Sequence, residues 1–243
     1  MMATFVGFRP EAIQFLADLA ANNDRAWFQP RKAEFERLLK EPLVAMIAAL
    51  AERFEARRIP LLADPARSPF RIYRDTRFAK DKSPYKTNIG ASFPWIEEPG
   101  AGAGTLTAQE RHGPGGYFHL APGDIFVGGG MYHPEPSRLT AFRTAVVADR
   151  GRVHAALEEP GFVAAFGGIG LGEGRLKRAP AGYAADDPDV EWLKLKDVVF
   201  GKRLSDRDVA SPALPDILAD AFAAATPVMR FIASLEPPPD GAA

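Results

Sequence analysis

A chain of 243 residues, 47% hydrophobic and 25% charged, has the composition of an ordinary soluble domain and removes ~70% of its unfolded surface on folding, enough for one sizeable core or two small ones. Its formal charge of −1 excludes the broadly basic surface on which nonspecific nucleic-acid binding rests. The absence of cysteine excludes disulfides, thiolate metal sites and thiol nucleophiles.

From Arg9 to Phe54 the pattern is helical: Phe15, Leu16 and Leu19 recur at spacings of three and four, Pro10 suits a first turn, and Asn22 and Asn23 stop the segment. A second helix is expected from near Trp27 through Phe35, Leu38 and Leu39, with Pro42 either kinking it or opening a third stretch, LVAMIAALAERF. The centre changes period. FRIYRD, TNIGASF, GGYFHLA and DIFVGGGMY are short runs rich in β-branched and aromatic residues, which read as three or four mostly antiparallel strands. Pro122-Gly123 marks a hairpin turn between the Tyr117 and Phe126 segments. Residues 97–116, EEPGAGAGTLTAQERHGPGG, hold few apolar anchors and are expected to form a surface excursion, either a lid or a disordered loop.

After Pro136 helices return: SRLTAFRTAVVADR, with Ser137 as its cap, then GRVHAALEEPGFVAAF. Asp187-Pro188-Asp189 reads as a helix start before VEWLKL, and DVVFGKRL as one more strand. The last helix, SPALPDILADAFAAATPVMRFIASL, is expected to be interrupted at Pro227, and residues 236–243 to form a disordered tail. With no repeat or linker, residues 1–235 read as a single α+β domain, a mostly antiparallel sheet of three to five strands flanked by N-terminal and C-terminal helices. No run of 18 apolar residues occurs and the first residues lack a basic region ahead of an apolar one, so the cytoplasm is the expected compartment and no membrane partner is expected.

Within RIYRDTRFAKDKSPYKTNIG, six basic side chains (Arg71, Arg74, Arg77, Lys80, Lys82 and Lys86) meet only two acids, Asp75 and Asp81. As a strand, Arg71, Tyr73, Asp75 and Arg77 share one face, and Ile72, Arg74, Thr76 and Phe78 the other, so the charges split. They converge only if AKDKSPYK curls back, which Asp81 and Pro84 permit. Arg74 shares its face with Ile72 and Phe78, and a buried guanidinium without a partner is costly. Either a carboxylate pairs with it or it lines a pocket for an anion, whose phosphate or carboxylate arginine captures bidentately.

Gly128, Gly129 and Gly130 are read as ending a strand, with amides free to form an anion nest or with close packing as their purpose. His133 and Glu135 follow, and His119 lies on the preceding strand. These could exchange protons, but their spacing matches no metal signature, so no metal is expected. Lys177 and Arg178 precede a turn, and the acids Asp186, Asp187 and Asp189 either partner the basic segment or favour a helix start. Nucleotide-binding glycine motifs, the G-x-S-x-G elbow and H-E-x-x-H are absent from the sequence.

RIYRDTRFAKDKSPYKTNIGASF, with GGGMYHPEP and LKRAPAGYAADDPDVEWLKLKD, resembles the microbial and fungal family called domain of unknown function 2461, and the likeness runs from GFRPEAIQFLADLAANND to the final helix. The resemblance implies one intracellular domain and brings no activity, cofactor or catalytic residue with it. The residues themselves point to a small-anion pocket, with an enzymatic reading left open in which Tyr85 or His133 stands closest for proton transfer. In it Arg74, Arg77, Lys82 and Lys86 hold a phosphate- or carboxylate-bearing ligand and Gly128, Gly129 and Gly130 supply amides. The alternatives are a nucleic-acid module in which Tyr73, Phe78 and Tyr85 stack bases, disfavoured by the acidic remainder of the chain, and a domain docking an acidic protein partner.

Overall fold

The structure, a computed structural model, describes residues 4–77, 79–96, 113–170 and 174–235. The expectations for residues 97–112, for Phe78 and for the tail 236–243 fall outside these. No helix among the described residues is long and apolar enough to cross a membrane.

Four strands, β1 (Ile89–Pro94), β2 (Gly115–Ala121), β3 (Asp124–Met131) and β4 (Val198–Arg203), form an antiparallel sheet in the order β1-β2-β3-β4. The β2–β3 hairpin closes at Pro122-Gly123, with Ala121 opposite Asp124. Strand alternation divides the side chains between two faces. Phe93, Phe118, Leu120, Ile125, Val127, Met131, Val198 and Phe200 are buried on the inner one. The outer face carries Tyr117, His119, Asp124 and Phe126, with Gly90 and Gly128 between them.

The helices are α1 (Pro10–Ala21), α2 (Arg25–Phe28), α3 (Lys32–Phe35), α4 (Glu41–Arg57), α5 (Pro136–Ala148), α6 (Arg150–Leu157), α7 (Pro160–Phe166), α8 (Val190–Leu193), α9 (Asp206–Ala210) and α10 (Leu214–Ala233). They pack on the inner face through rings. Phe222 of α10 lies 5.5 Å from Phe93 and 5.6 Å from Phe54 of α4, and Phe162 and Phe166 of α7 lie 5.2 and 4.8 Å from Phe200. Gly116 makes room for Phe222, since a Cβ there would stand 2.5 Å from the ring. A bidentate pair, Arg53 Nε and Nη2 to Asp216 at 2.7 and 2.8 Å, joins α4 to α10.

Three local expectations are corrected. The second helix is not uniform: a 3-10 turn at Gln29–Arg31 accommodates Pro30, and a π turn at Glu36–Lys40 precedes Pro42, which lacks the N–H that a regular α turn would use. The last helix is not interrupted, because α10 runs through Pro227, with Thr226 Oγ1 donating back to Phe222 O at 2.8 Å. Pro136 takes the first turn of α5 and Glu135 its cap, so Ser137 is inside the helix.

FRIYRD is not a strand of the sheet. Its first part lines the outer edge of β1, where Phe70 N–H donates to Gly90 O at 2.9 Å and Ser92 N–H to Ser68 O at 3.0 Å. Leu62 N–H and Ile96 N–H extend this cover, donating to Pro94 O and Pro60 O. An edge that would otherwise offer unpaired amides to another chain is thereby closed along much of its length.

Candidate functional site

Beyond Phe70 the basic segment leaves the sheet and returns. Arg74 N–H donates to Pro84 O at 2.9 Å and Lys86 N–H to Ile72 O at 2.7 Å, so residues 72–74 and 84–86 form a two-stranded arm with residues 75–83 as its loop. Tyr85 anchors the arm. Its ring, 1% exposed, stacks on Phe28 at 4.1 Å and touches Tyr73 at 5.5 Å. Asn23 clamps its backbone, accepting from Tyr85 N–H and donating to Tyr85 O, both at 3.0 Å. The Tyr85 hydroxyl faces Gln29 Nε2 at 3.4 Å, inside the fold.

The loop pairs both of its acids internally. Arg74, its side chain 30% exposed, pairs with Asp81, and Arg77 pairs with Asp75 at 2.7 Å. Asp81 also accepts from the Ser83 hydroxyl at 2.6 Å and backbone N–H at 2.9 Å, and these bonds together with Arg74 hold its carboxyl well below the usual range. Lys82 Nζ donates to Thr76 O at 2.9 Å. Three of the four cations expected at an anion site, Arg74, Arg77 and Lys82, therefore serve the loop's own geometry.

Lys86 behaves differently. Its Nζ lies 4.9 Å from the centre of the Phe70 ring, and neither it nor Arg71 forms an ion pair among the described residues. Burial, reinforced by the Arg71 charge, pulls the Lys86 pKa below its ordinary value. Phe70, 44% exposed, also contacts Tyr117 at 5.9 Å, which links this cationic rim to the outer face of the sheet.

The glycine run lies inside β3 and not after it. Gly128, Gly129 and Gly130 oppose Tyr117, Gly116 and Gly115 on one side and Gly201, Phe200 and Val199 on the other. In a strand paired on both sides, successive residues turn their N–H and C=O groups to alternate neighbours, so the amides belong to ladders and do not converge as a nest. A Cβ would stand 2.4 Å from Phe200 O at Gly128 and 2.1 Å from Val198 O at Gly130, whose φ is +108°. Close strand approach accounts for these glycines.

His133, just past β3, has φ +47° and an exposed ring. Its N–H donates at 2.6 Å to Asp197 Oδ1, and the ring Nδ1 lies 3.7 Å from the same oxygen. Asp197 is buried, so the unusual backbone at His133 gives that carboxylate a donor.

A second group on the outer face was open to a reading of strand alternation, since GGYFHLA puts Tyr117 and His119 two residues apart. The Tyr117 hydroxyl lies 2.9 Å from His119 Nδ1, Asn88 Nδ2 lies 3.5 Å from the same nitrogen, and His119 Nε2 faces Asp124 Oδ2 at 3.8 Å. Phe126 stacks on the imidazole at 4.8 Å. Burial pushes the Tyr117 hydroxyl up to about 12, aided by Asp124 and Tyr132, and pulls His119 down against the opposing pull of Asp124. At neutral pH the pair is a neutral phenol beside a neutral imidazole. No cluster of three or more His, Cys, Asp or Glu side chains among the described residues is arranged to hold a metal ion.

Asp187 and Asp189 do not serve the basic segment. Arg150 of α6 pairs with both, and His154 Nε2 lies 3.0 Å from Asp189 Oδ1 while its Nδ1 lies 3.1 Å from Glu158. Glu158 foremost, then Asp189, raises the His154 pKa above 6.5. A histidine with a raised folded pKa contributes stability that is complete below the unfolded value and is lost as pH rises through the folded one. The urea midpoint of the wild type is therefore expected to fall, relative to His154→Gln, from pH 6 to pH 8. Parallel profiles for the two proteins would show that the His154 ion pairs contribute nothing.

Together these features define an α+β protein with helices on one face of an antiparallel sheet and, on the other, a phenol–imidazole–carboxylate chain whose carboxylate also pairs with Arg203 at 3.4 Å. The profile of a family described as conserved hypothetical protein (DUF2461) matches residues 11–231, and the chain belongs to this family. Comparison with curated proteins and with solved structures finds no match.

Proposed function

We propose that the protein binds a small phosphate- or carboxylate-bearing ligand at the rim of the outer sheet face, with Arg71 and Lys86 supplying the charge. The observation that carries this reading is Lys86: a half-buried ammonium beside a second cation, Arg71, with no ion pair of its own among the described residues, while Arg71 meets only the longer-range charge of Asp75, a carboxylate that Arg77 already holds. A bound anion removes the repulsion and replaces lost hydration with charge-assisted hydrogen bonds. Arg74, Arg77 and Lys82 hold the loop at the other end of the arm, away from Arg71 and Lys86.

Thermal shift against inorganic phosphate, pyrophosphate, nucleoside monophosphates and citrate tests the reading. At a hundredfold excess over Kd a ligand stabilises by about 2.7 kcal/mol, which for a chain of this size raises Tm by on the order of 5–10 °C. Arg71→Ala and Lys86→Ala are expected to lose the shift, and Lys80→Ala to keep it. An equal shift in Lys86→Ala, or none with any anion, would sink the proposal. A salt-sensitive shift with an oligonucleotide alone would move the assignment to single-stranded nucleic acid, for which exposed Phe70 and Tyr73 offer stacking surfaces.

A further inference from the structure

We propose that Tyr117, His119 and Asp124 form a nucleophile–base–acid triad for phosphoryl transfer from a phosphate monoester, with the Tyr117 oxygen as the attacking atom. The choice of a phosphoryl group rests on the anion reading above, whereas the triad rests on its own geometry. A nucleophile within hydrogen-bond reach of a base that is itself oriented by a third group is the signature of an activated hydroxyl. Here the reach is 2.9 Å from Tyr117 to His119 Nδ1, and the Asp124 carboxylate, which also pairs with Arg203 Nη1 at 3.4 Å, stands 3.8 Å beyond Nε2, within ion-pair range of an imidazolium though too far for a hydrogen bond to the neutral ring.

In the tautomer that serves this chemistry the phenol donates to the Nδ1 lone pair and the ring proton resides on Nε2, facing Asp124, with the Asn88 amide a longer neighbour of Nδ1 at 3.5 Å. Phe126 fixes the plane of the ring. Burial favours the uncharged imidazole, which leaves His119 able to accept a proton, and keeps the phenol protonated until an acceptor takes it. The inner core needs none of this, because its ring contacts lie on the opposite face of the sheet.

In the step itself, the Tyr117 oxygen attacks phosphorus as its proton passes to His119 Nδ1. The O–P bond to tyrosine forms, the ester P–O bond breaks, and the alkoxide leaves in line on the far side of phosphorus with the electron pair and takes a proton from solvent water. Water then attacks the phosphotyrosine from that same side and releases its proton to solvent, while His119 returns the proton it took from Tyr117 to the departing phenolate as inorganic phosphate leaves. Asp124 stabilises the transient imidazolium. Lys86, whose Nζ lies 4.9 Å from the Phe70 ring that in turn contacts Tyr117, adds positive charge beside the site.

Tyr117 can be tested as a nucleophile with 4-(2-aminoethyl)benzenesulfonyl fluoride, a probe that needs no anion site. Its S–O bond to tyrosine forms as fluoride leaves with its electron pair and the phenol proton goes to His119. Peptide mass spectrometry is expected to show Tyr117 modified at least tenfold faster than exposed Tyr132, and at least tenfold slower in His119→Gln than in the wild type. Asp124→Asn, altered at a half-exposed side chain, provides a second variant that keeps the fold and is expected to slow labelling several-fold. Labelling no faster than at Tyr132, or unchanged in both variants, overturns the triad. Labelling retained in Arg71→Ala with Lys86→Ala supports the triad even where anion binding fails, which separates the two readings. Release of p-nitrophenol from p-nitrophenyl phosphate by the wild type and not by Tyr117→Phe supports phosphoryl transfer, and no release by the wild type overturns that assignment.

Discussion

Gly130→Ala is expected to destabilise the protein by about 3–5 kcal/mol, Gly123→Ala by about 1 kcal/mol, and Gly151→Ala to stabilise it by up to about 1 kcal/mol. The three separate two effects. Gly123, in the hairpin turn, has φ +73° and open space around its missing Cβ, so alanine meets only the backbone preference. Gly151, in α6, has open space and an ordinary helical backbone, so alanine gains helix propensity. Gly130 combines φ +108° with a backbone oxygen, Val198 O, 2.1 Å from the position a Cβ would take. That oxygen belongs to the neighbouring strand, so relief requires β3 and β4 to separate. Urea unfolding of the three variants checks the order. A Gly130→Ala protein within 1 kcal/mol of the wild type would show that the ladder yields easily and that some other demand keeps the glycine there.

This comparison also shows why GGG misleads as text. Glycines after aromatic residues resemble a strand ending in a turn, and nothing local distinguishes that from a strand so tightly flanked that side chains cannot fit. The difference lies in β4, some seventy residues later in the chain, and becomes visible only when Phe200 and Val198 are in place. GGYFHLA, whose burial alternates residue by residue, and TNIGASF and DVVFGKRL, whose β-branched and aromatic residues suit a pleated surface, were legible as strands. FRIYRD has the same composition, yet after Phe70 its hydrogen bonds go to residues 84–86, a pairing set by tertiary clamps at Asn23 and Phe28. For the basic segment, one of the two outcomes left open for Arg74, an acid partner, is the observed one, and the partner lies seven residues away in the same loop. Lys86 stands out only in three dimensions, because its isolation from carboxylates depends on where Phe70 and Arg71 are folded.

Tyr85 joins this arrangement to stability, and substituting it is expected to have an effect as large as that at Gly130. Tyr85→Ala removes a fully buried ring from contact with Phe28 and Tyr73, for which a loss of about 3–5 kcal/mol follows from lost burial and the cavity left behind. The same substitution frees the end of the arm on which Lys86 is the next residue, so the thermal shift with phosphate should vanish in whatever fraction remains folded. Tyr85→Phe keeps the ring and loses one long hydrogen bond to Gln29, at a cost of under about 1 kcal/mol. Its response to phosphate should equal that of the wild type. The two substitutions thus separate an anchor from a proton donor at the same position: a folded Tyr85→Phe protein that had lost its ligand response would assign the hydroxyl a direct part at the site. With a ring 1% exposed and a hydroxyl turned toward Gln29, the expected result is that only the ring matters, and that the charge on Lys86 depends for its position on a tyrosine that never meets the ligand.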